Sequence, residues 1–137
     1  MADFVQPLRI IIYCGDKLKQ GDKILSFVRK RSPQSRTARC LTLHEFTEAL
    51  KQPGAKLFLI AIRSEDELEE ILLLKDWLEG QPIIMILPDE QTQAQPHLMT
   101  RAMRLYPRYI SNSRSEFSDV RLVLEKILHN YNHEGIL

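Results

Sequence analysis

Apolar runs that never alternate are the strongest constraint in this chain. Leu57-Phe58-Leu59-Ile60-Ala61-Ile62 and Ile83-Ile84-Met85-Ile86-Leu87 contain no polar residue, and Ile10-Ile11-Ile12 anchors a third run over Leu8–Cys14. Successive side chains of a strand point to opposite faces, so a strand with one solvated face reads apolar, polar, apolar. Runs without that alternation belong to strands covered on both faces, as in a parallel sheet flanked by helices. The chain has 137 residues, 44% of them hydrophobic, enough to bury one continuous core without disulfide or metal staples.

Helical spacing fills the intervals between the runs. A first helix is expected over about Gly21 to Arg31, closed by Pro33. Ala38–Leu43 is a weaker strand; it alternates and carries charge, which suits a sheet edge. Thr42 with Glu45, and Ser64 with Glu67, have the spacing of capping boxes that open helices. The second of these leads into a helix stepping through Leu68, Ile71, Leu72, Lys75 and Leu78 to Gly80; Trp77 on it is a second candidate for a binding surface, with burial against the sheet the plainer expectation. Pro96 starts a fourth helix, Tyr109-Ile110-Ser111 is a short fifth strand, and a fifth helix is expected over about Ser115 to Tyr131. Strands alternating with helices build right-handed parallel βαβ units. The expected fold is thus α/β: a three-layer (βα)5 doubly wound parallel sheet of flavodoxin-like order 2-1-3-4-5, with residues 1–131 as the domain and 132–137 as a tail or the start of a linker.

Composition narrows the function classes. Nineteen Lys and Arg face eighteen Asp and Glu, so no global charge favours nucleic acid or an anionic membrane. The charge is clustered instead, basic around Arg29-Lys30-Arg31, Arg36 and Arg39, acidic over Glu65–Glu70; solvated faces are the plainer reading and a charged docking surface the sharper one. Cys14 and Cys40 show no metal-ligand spacing and read as small buried hydrophobes. There is no basic segment followed by an apolar core at the N-terminus and no run of membrane-spanning length, so a cytoplasmic protein is expected. GxGxxG and GxxxxGK[ST] are both absent, which argues against the common nucleotide sites. His44, His97, His129 and His133 have no spacing that suggests a metal and read as surface residues, and Ser32, Ser35 and Ser64 lack an identifiable base.

In doubly wound sheets, chemistry sits beyond the carboxyl ends of the strands. The residues there are Cys14–Lys17, Ala61–Ser64, Leu87–Glu90 and Ser111–Arg114. From about Leu8 to Tyr131 the order, length and strand texture of the elements resemble the receiver domains of two-component response regulators. Receivers carry an acidic pair after the first strand to hold Mg²⁺, which needs hard oxygen ligands; the matching positions are Cys14 and Gly15, with Asp16 just beyond. The phospho-accepting aspartate is replaced by Ala61, the Ser/Thr after the fourth strand by Leu87, and the Lys after the fifth strand by Asn112, followed by Ser113. Tyr109 keeps the position of the family's switch aromatic. A methyl group neither accepts a phosphoryl group nor binds a metal ion. The resemblance therefore implies an atypical, pseudo-receiver member: a signalling module with no catalysis, cofactor or metal, working by protein–protein interaction independently of aspartate phosphorylation.

The same resemblance points to the fourth helix, fifth strand and fifth helix as the interaction face, for a protein partner or a homodimer. Met99, Met103 and Tyr106 stand there among Arg101, Arg104 and Arg108, and Arg121 lies on the fifth helix. Met, Tyr and Arg are enriched in interfaces. The rival reading is a phosphocysteine carrier of the sugar phosphotransferase type using Cys14. A reactive thiolate needs backbone N–H groups or positive charge around it, and the Gly15-Asp16-Lys17-Leu18 segment after Cys14 lacks the small-residue cradle of those carriers. The Cys-x5-Arg pattern of low-molecular-weight tyrosine phosphatases also fails, since position 20 is Gln20.

Overall fold

The computed structural model describes residues 7–14, 19–87, 97–112, 117–135 and 137. Its strands are β1 (Arg9–Tyr13), β2 (Arg36–Cys40), β3 (Lys56–Ala61), β4 (Ile83–Leu87) and β5 (Tyr109–Asn112). Its helices are α1 (Lys19–Arg31), α2 (Leu43–Leu50), α3 (Glu65–Leu72), the single-turn α4 (Lys75–Leu78), α5 (His97–Ala102) and α6 (Phe117–Glu134), with a 3-10 turn at Met103–Leu105. The strands form one five-stranded sheet of order β2-β1-β3-β4-β5, every pair parallel. This is the flavodoxin-like order expected from the apolar runs.

Each face of the sheet owns a core. One holds Tyr13, Phe46, Phe58, Ile60, Ile71 and Met85 beneath α2 to α5; the other holds Ile10, Ile12, Leu59, Ile84, Leu124 and Leu128 beneath α1 and α6. Phe46 is the pivot of the first. It is fully buried and meets Tyr13 and Phe58 edge-on, with ring centroids 5.3 and 5.9 Å apart, the geometry that sets a ring's positive edge against its neighbour's negative face. On the second face, Ser32 is fully buried at the end of α1. Its hydroxyl lies 2.6 Å from that of Ser35 and accepts from the Asn132 amide at 3.2 Å, tying α1 to α6.

Both cap hydroxyls bond as the capping-box spacing predicts, while the Glu45 and Glu67 carboxylates accept from the N–H groups of Leu41 and Arg63, one residue before each cap. Thr42 Oγ1 accepts from the Glu45 N–H at 3.1 Å, and Ser64 Oγ from that of Glu67 at 3.2 Å. Thr42 thereby ends β2 early: the strand runs Arg36–Cys40 instead of Ala38–Leu43, because Leu43 already belongs to α2. The helix expected from Ser64 to Gly80 is broken. The Leu74 N–H bonds Ile71 three residues back at 2.9 Å, tightening the chain before it re-enters a helix at Lys75. That change of pitch returns Leu78 to the core but turns Leu73 and Trp77 outward, 82% and 56% exposed, so the expected burial of Trp77 is overturned. At the other end α6 runs three residues past Tyr131, to Glu134, and Gly135 closes it in the left-handed conformation with its N–H on the Tyr131 carbonyl at 2.8 Å.

Truncating Phe46 empties the centre of three rings. Phe46→Ala is expected to cost about 3–5 kcal/mol, read as a lower urea midpoint at unchanged slope.

Candidate functional site

Strand register decides which side chains share the carboxyl end of the sheet. Ala61 pairs with Ile86, Ile86 with Ser111, and Tyr13 with Ile60, which places Cys14 one step further along β1 beside Ala61. Alternation then sorts the tips by face. Cys14, Ala61 and Ile86 pack into the core beneath α1 and α6, whereas Tyr13, Cys40, Ile62 and Leu87 pack into the opposite one. The receiver resemblance makes Leu87 the partner of Ala61 after β4. The residue on Ala61's own face is Ile86, and the hydroxyl at that level is that of Ser111, only 2% exposed. Neither stands out in the sequence. The period-two alternation of β4 and β5 is a usable signal, but only once their register is known.

Apart from Ser111, this row is made of a thiol, a methyl group and a branched alkyl chain. Ala61 is 4% exposed, with β1 on one side and β4 on the other. Such a row offers Mg²⁺ no carboxylate. Gly15 and Asp16 lie outside the described residues, as does the side chain of Asn112. Tyr109 is partly buried and packs on the core beneath α1 and α6. Cys14 is fully buried, and its N–H bonds the Cys40 carbonyl at 3.1 Å. A phosphate-accepting thiolate must be reachable by its donor, and the Cys14 side chain is buried in the core beneath α1 and α6. Cys14 and Cys40 form no disulfide.

Electrostatics at the tips favours neutral groups. Burial, and secondarily the Glu45 carboxylate, pushes the Cys40 thiol up to about 11. Burial likewise raises the Tyr13 phenol, helped by Glu67 and Glu70 and opposed by Arg63. Glu67 is held locally: its carboxylate accepts from the Arg63 backbone N–H at 2.6 Å and from the Arg63 guanidinium at 2.7 Å. Ser64 is engaged as the α3 cap, and Ser32 with Ser35 and Asn132. His44, His129 and His133 are exposed, the last two stacked at 4.1 Å. Among the described residues no three His, Cys, Asp or Glu side chains converge as a metal site.

The candidate interaction residues separate. Met103 and Tyr106 are 58% and 81% exposed around the 3-10 turn, with Arg104 exposed between them. Tyr106 ends that turn at φ 51°, ψ 52°, the one non-glycine residue with positive φ among those described, and its N–H bonds the Met103 carbonyl at 3.0 Å. A bulky residue in the left-handed region is uncommon, and Pro107 directly after it restricts it further. Met99 packs partly on the core, and Arg101 is ion-paired to Glu65 and Glu69 of α3. The Arg108 guanidinium donates to the Leu137 carbonyl at 2.6 Å, and Arg121 lines a groove between α6 and α1. Leu122 adds a residue with no sequence signal of its own: it is 60% exposed on α6, yet it interrupts the polar side of a helix whose inward stripe is equally rich in leucine.

No protein-family model matches the chain, and no curated protein matches it. Among solved structures it is similar to the crystal structure of adenylate cyclase from Rhodopirellula baltica, at 15% identity and a TM-score of 0.57, over 90% of this chain and 89% of that one. At that identity the likeness concerns the fold. It agrees with a flavodoxin-like sheet and carries no statement on catalysis.

Two outcomes are expected. Ala61→Asp puts a carboxylate into a strand covered on both sides, so it should cost about 3 kcal/mol or more at neutral pH. That penalty should shrink as pH falls and the side chain is protonated, which urea midpoints at two pH values check. The raised Cys40 and Tyr13 groups favour their neutral forms in the fold. The stability they contribute is complete below the unfolded values and fades as pH climbs through the folded ones, for Cys40 from about 9 to about 11. An alkaline stability titration should therefore fall across that window, and Cys40→Ala should remove part of the fall.

Proposed function

We propose that this chain is a non-catalytic receiver-like signalling module that acts by protein–protein recognition, without aspartate phosphorylation and without Mg²⁺. The observation that carries the proposal is the buried row Cys14, Ala61 and Ile86 at the carboxyl end of the sheet, where phosphotransfer would need carboxylates. The fold keeps the scaffold of a receiver while the described strand tips keep none of its chemistry. The recognition surface is the face built by α5, the 3-10 turn, β5 and the outer side of α6. Met103, Tyr106 and Leu122 supply exposed apolar area there and Arg104 a cation, the composition of an interface centre. Its partner is a protein, a second copy of this chain included.

Intact mass after incubation with a small-molecule phosphodonor and Mg²⁺ tests the first half. The expected result is an unmodified protein; an adduct of roughly 80 Da, mapped to Asp16 or Cys14, would overturn the proposal. The second half is read by comparing wild-type protein with the Met103→Ala/Tyr106→Ala double variant as bait. Loss of anchor residues typically costs upward of 1 kcal/mol in binding, so a specific partner should be depleted from the variant. Equal recovery on both baits would move the interface elsewhere.

A further inference from the structure

Leu73 and Trp77 are four residues apart on the outward side of α3 and α4, and both are exposed. They stand in an acidic field: between Ser64 and Gln81 the only cation is Lys75. Three of the acids are already engaged, Glu67 by Arg63, and Glu65 and Glu69 by Arg101. Asp66, Glu70, Asp76 and Glu79 are exposed around the two apolar side chains. An aromatic and a leucine ringed by like charge repel a second acidic surface and attract a basic one.

The complement exists on the far side of the same molecule. α1, with Arg121 of α6, borders a shallow, open groove of about 450 Å³. Phe27 forms part of its wall, and Lys23, Lys30 and Arg121 bring positive charge to it. The one acid in that wall, Asp22, is ion-paired to Arg39 of β2, so the groove remains basic. The acidic ridge lies on the sheet face of α2 to α5, the basic groove on the opposite face. The formal net charge of +1 conceals this separation.

We propose that the Leu73–Trp77 ridge of one copy docks into the Lys23–Lys30–Arg121 groove of another. The two surfaces differ, so the contact is head-to-tail. Each bound pair still offers one free ridge and one free groove, and association continues beyond two unless a rotation closes it into a ring. Its charged surround makes it salt-sensitive, since surface charges are screened within about 8 Å at physiological ionic strength. This surface is separate from the Met103–Tyr106 face, and the inference stands whether or not that face binds a partner.

Trp77 is the only tryptophan, so its fluorescence reports this interface without a label. Raising the concentration of the unmodified protein in low salt should shift its emission to the blue, while sedimentation shows mass passing the dimer without a plateau; added salt should reverse both. Leu73→Ala/Trp77→Ala removes the ridge and Lys23→Glu/Lys30→Glu reverses the groove. All four positions are exposed, and circular dichroism verifies the folds. Each variant alone should be monomeric, with association weakened roughly tenfold or more, as loss of an aromatic anchor entails. An equimolar mixture should form a one-to-one complex and stop there, because each partner retains one live surface. A Trp77 emission independent of concentration would overturn the proposal. So would self-association that survives both variants, and one abolished only by Tyr106→Ala would assign it to the other face.

Discussion

Everything in this structure depends on β3 having no free side. It lies at the centre of the sheet between β1 and β4, and from Leu57 to Ala61 every side chain is buried. A strand in that position admits apolar residues almost alone, because a polar group there loses its water without a guaranteed partner. The two cores form against its faces, the helices are placed by those cores, and the loops leave the sheet where the helices require. Ala61 belongs to this logic as much as Ile60 does. It completes the apolar lining at the carboxyl end of the strand.

Much of the architecture was legible because it rests on local rules. Unalternating runs foretold a doubly covered sheet, and charge on Arg36 and Arg39 marked β2 as an edge. Ser64 and Thr42 announced their helices through hydroxyls placed three residues before an acid. Pairing between distant segments was not legible. Nothing in the apolar texture of β4 says whether Ile86 or Leu87 shares a face with Ala61, since a shift of one residue exchanges the faces without changing the composition. Trp77 defies its sequence context for a related reason. The stripe through Leu68, Ile71 and Leu78 is real, but one tightened turn at Leu74 rotates α4 relative to α3.

The arginines show how little sequence adjacency says about role. Arg101, Arg104 and Arg108 follow one another within a few residues and read as one basic patch. In the fold Arg101 joins α5 to α3 through two glutamates, Arg108 holds the carbonyl of Leu137, and Arg104 stands exposed beside Met103. Partly exposed ion pairs of this kind add little to stability, typically about 1 kcal/mol or less each. Their larger effect here is to neutralise some acids of α3 and leave others unbalanced, which shapes the surface the molecule presents.

Tyr106 shows the same economy in another form. Its backbone is fixed by the left-handed cap on one side and by the proline ring on the other, so the stalk that carries its phenol has few states to lose. Binding normally forfeits freedom in the groups it immobilises, by about 0.5–1.5 kcal/mol for a side chain with many rotamers. Here much of the backbone share of that loss was incurred during folding. A ring displayed on a rigid stalk discriminates by shape: it favours partners whose pocket already fits and gains little from those that must be met halfway.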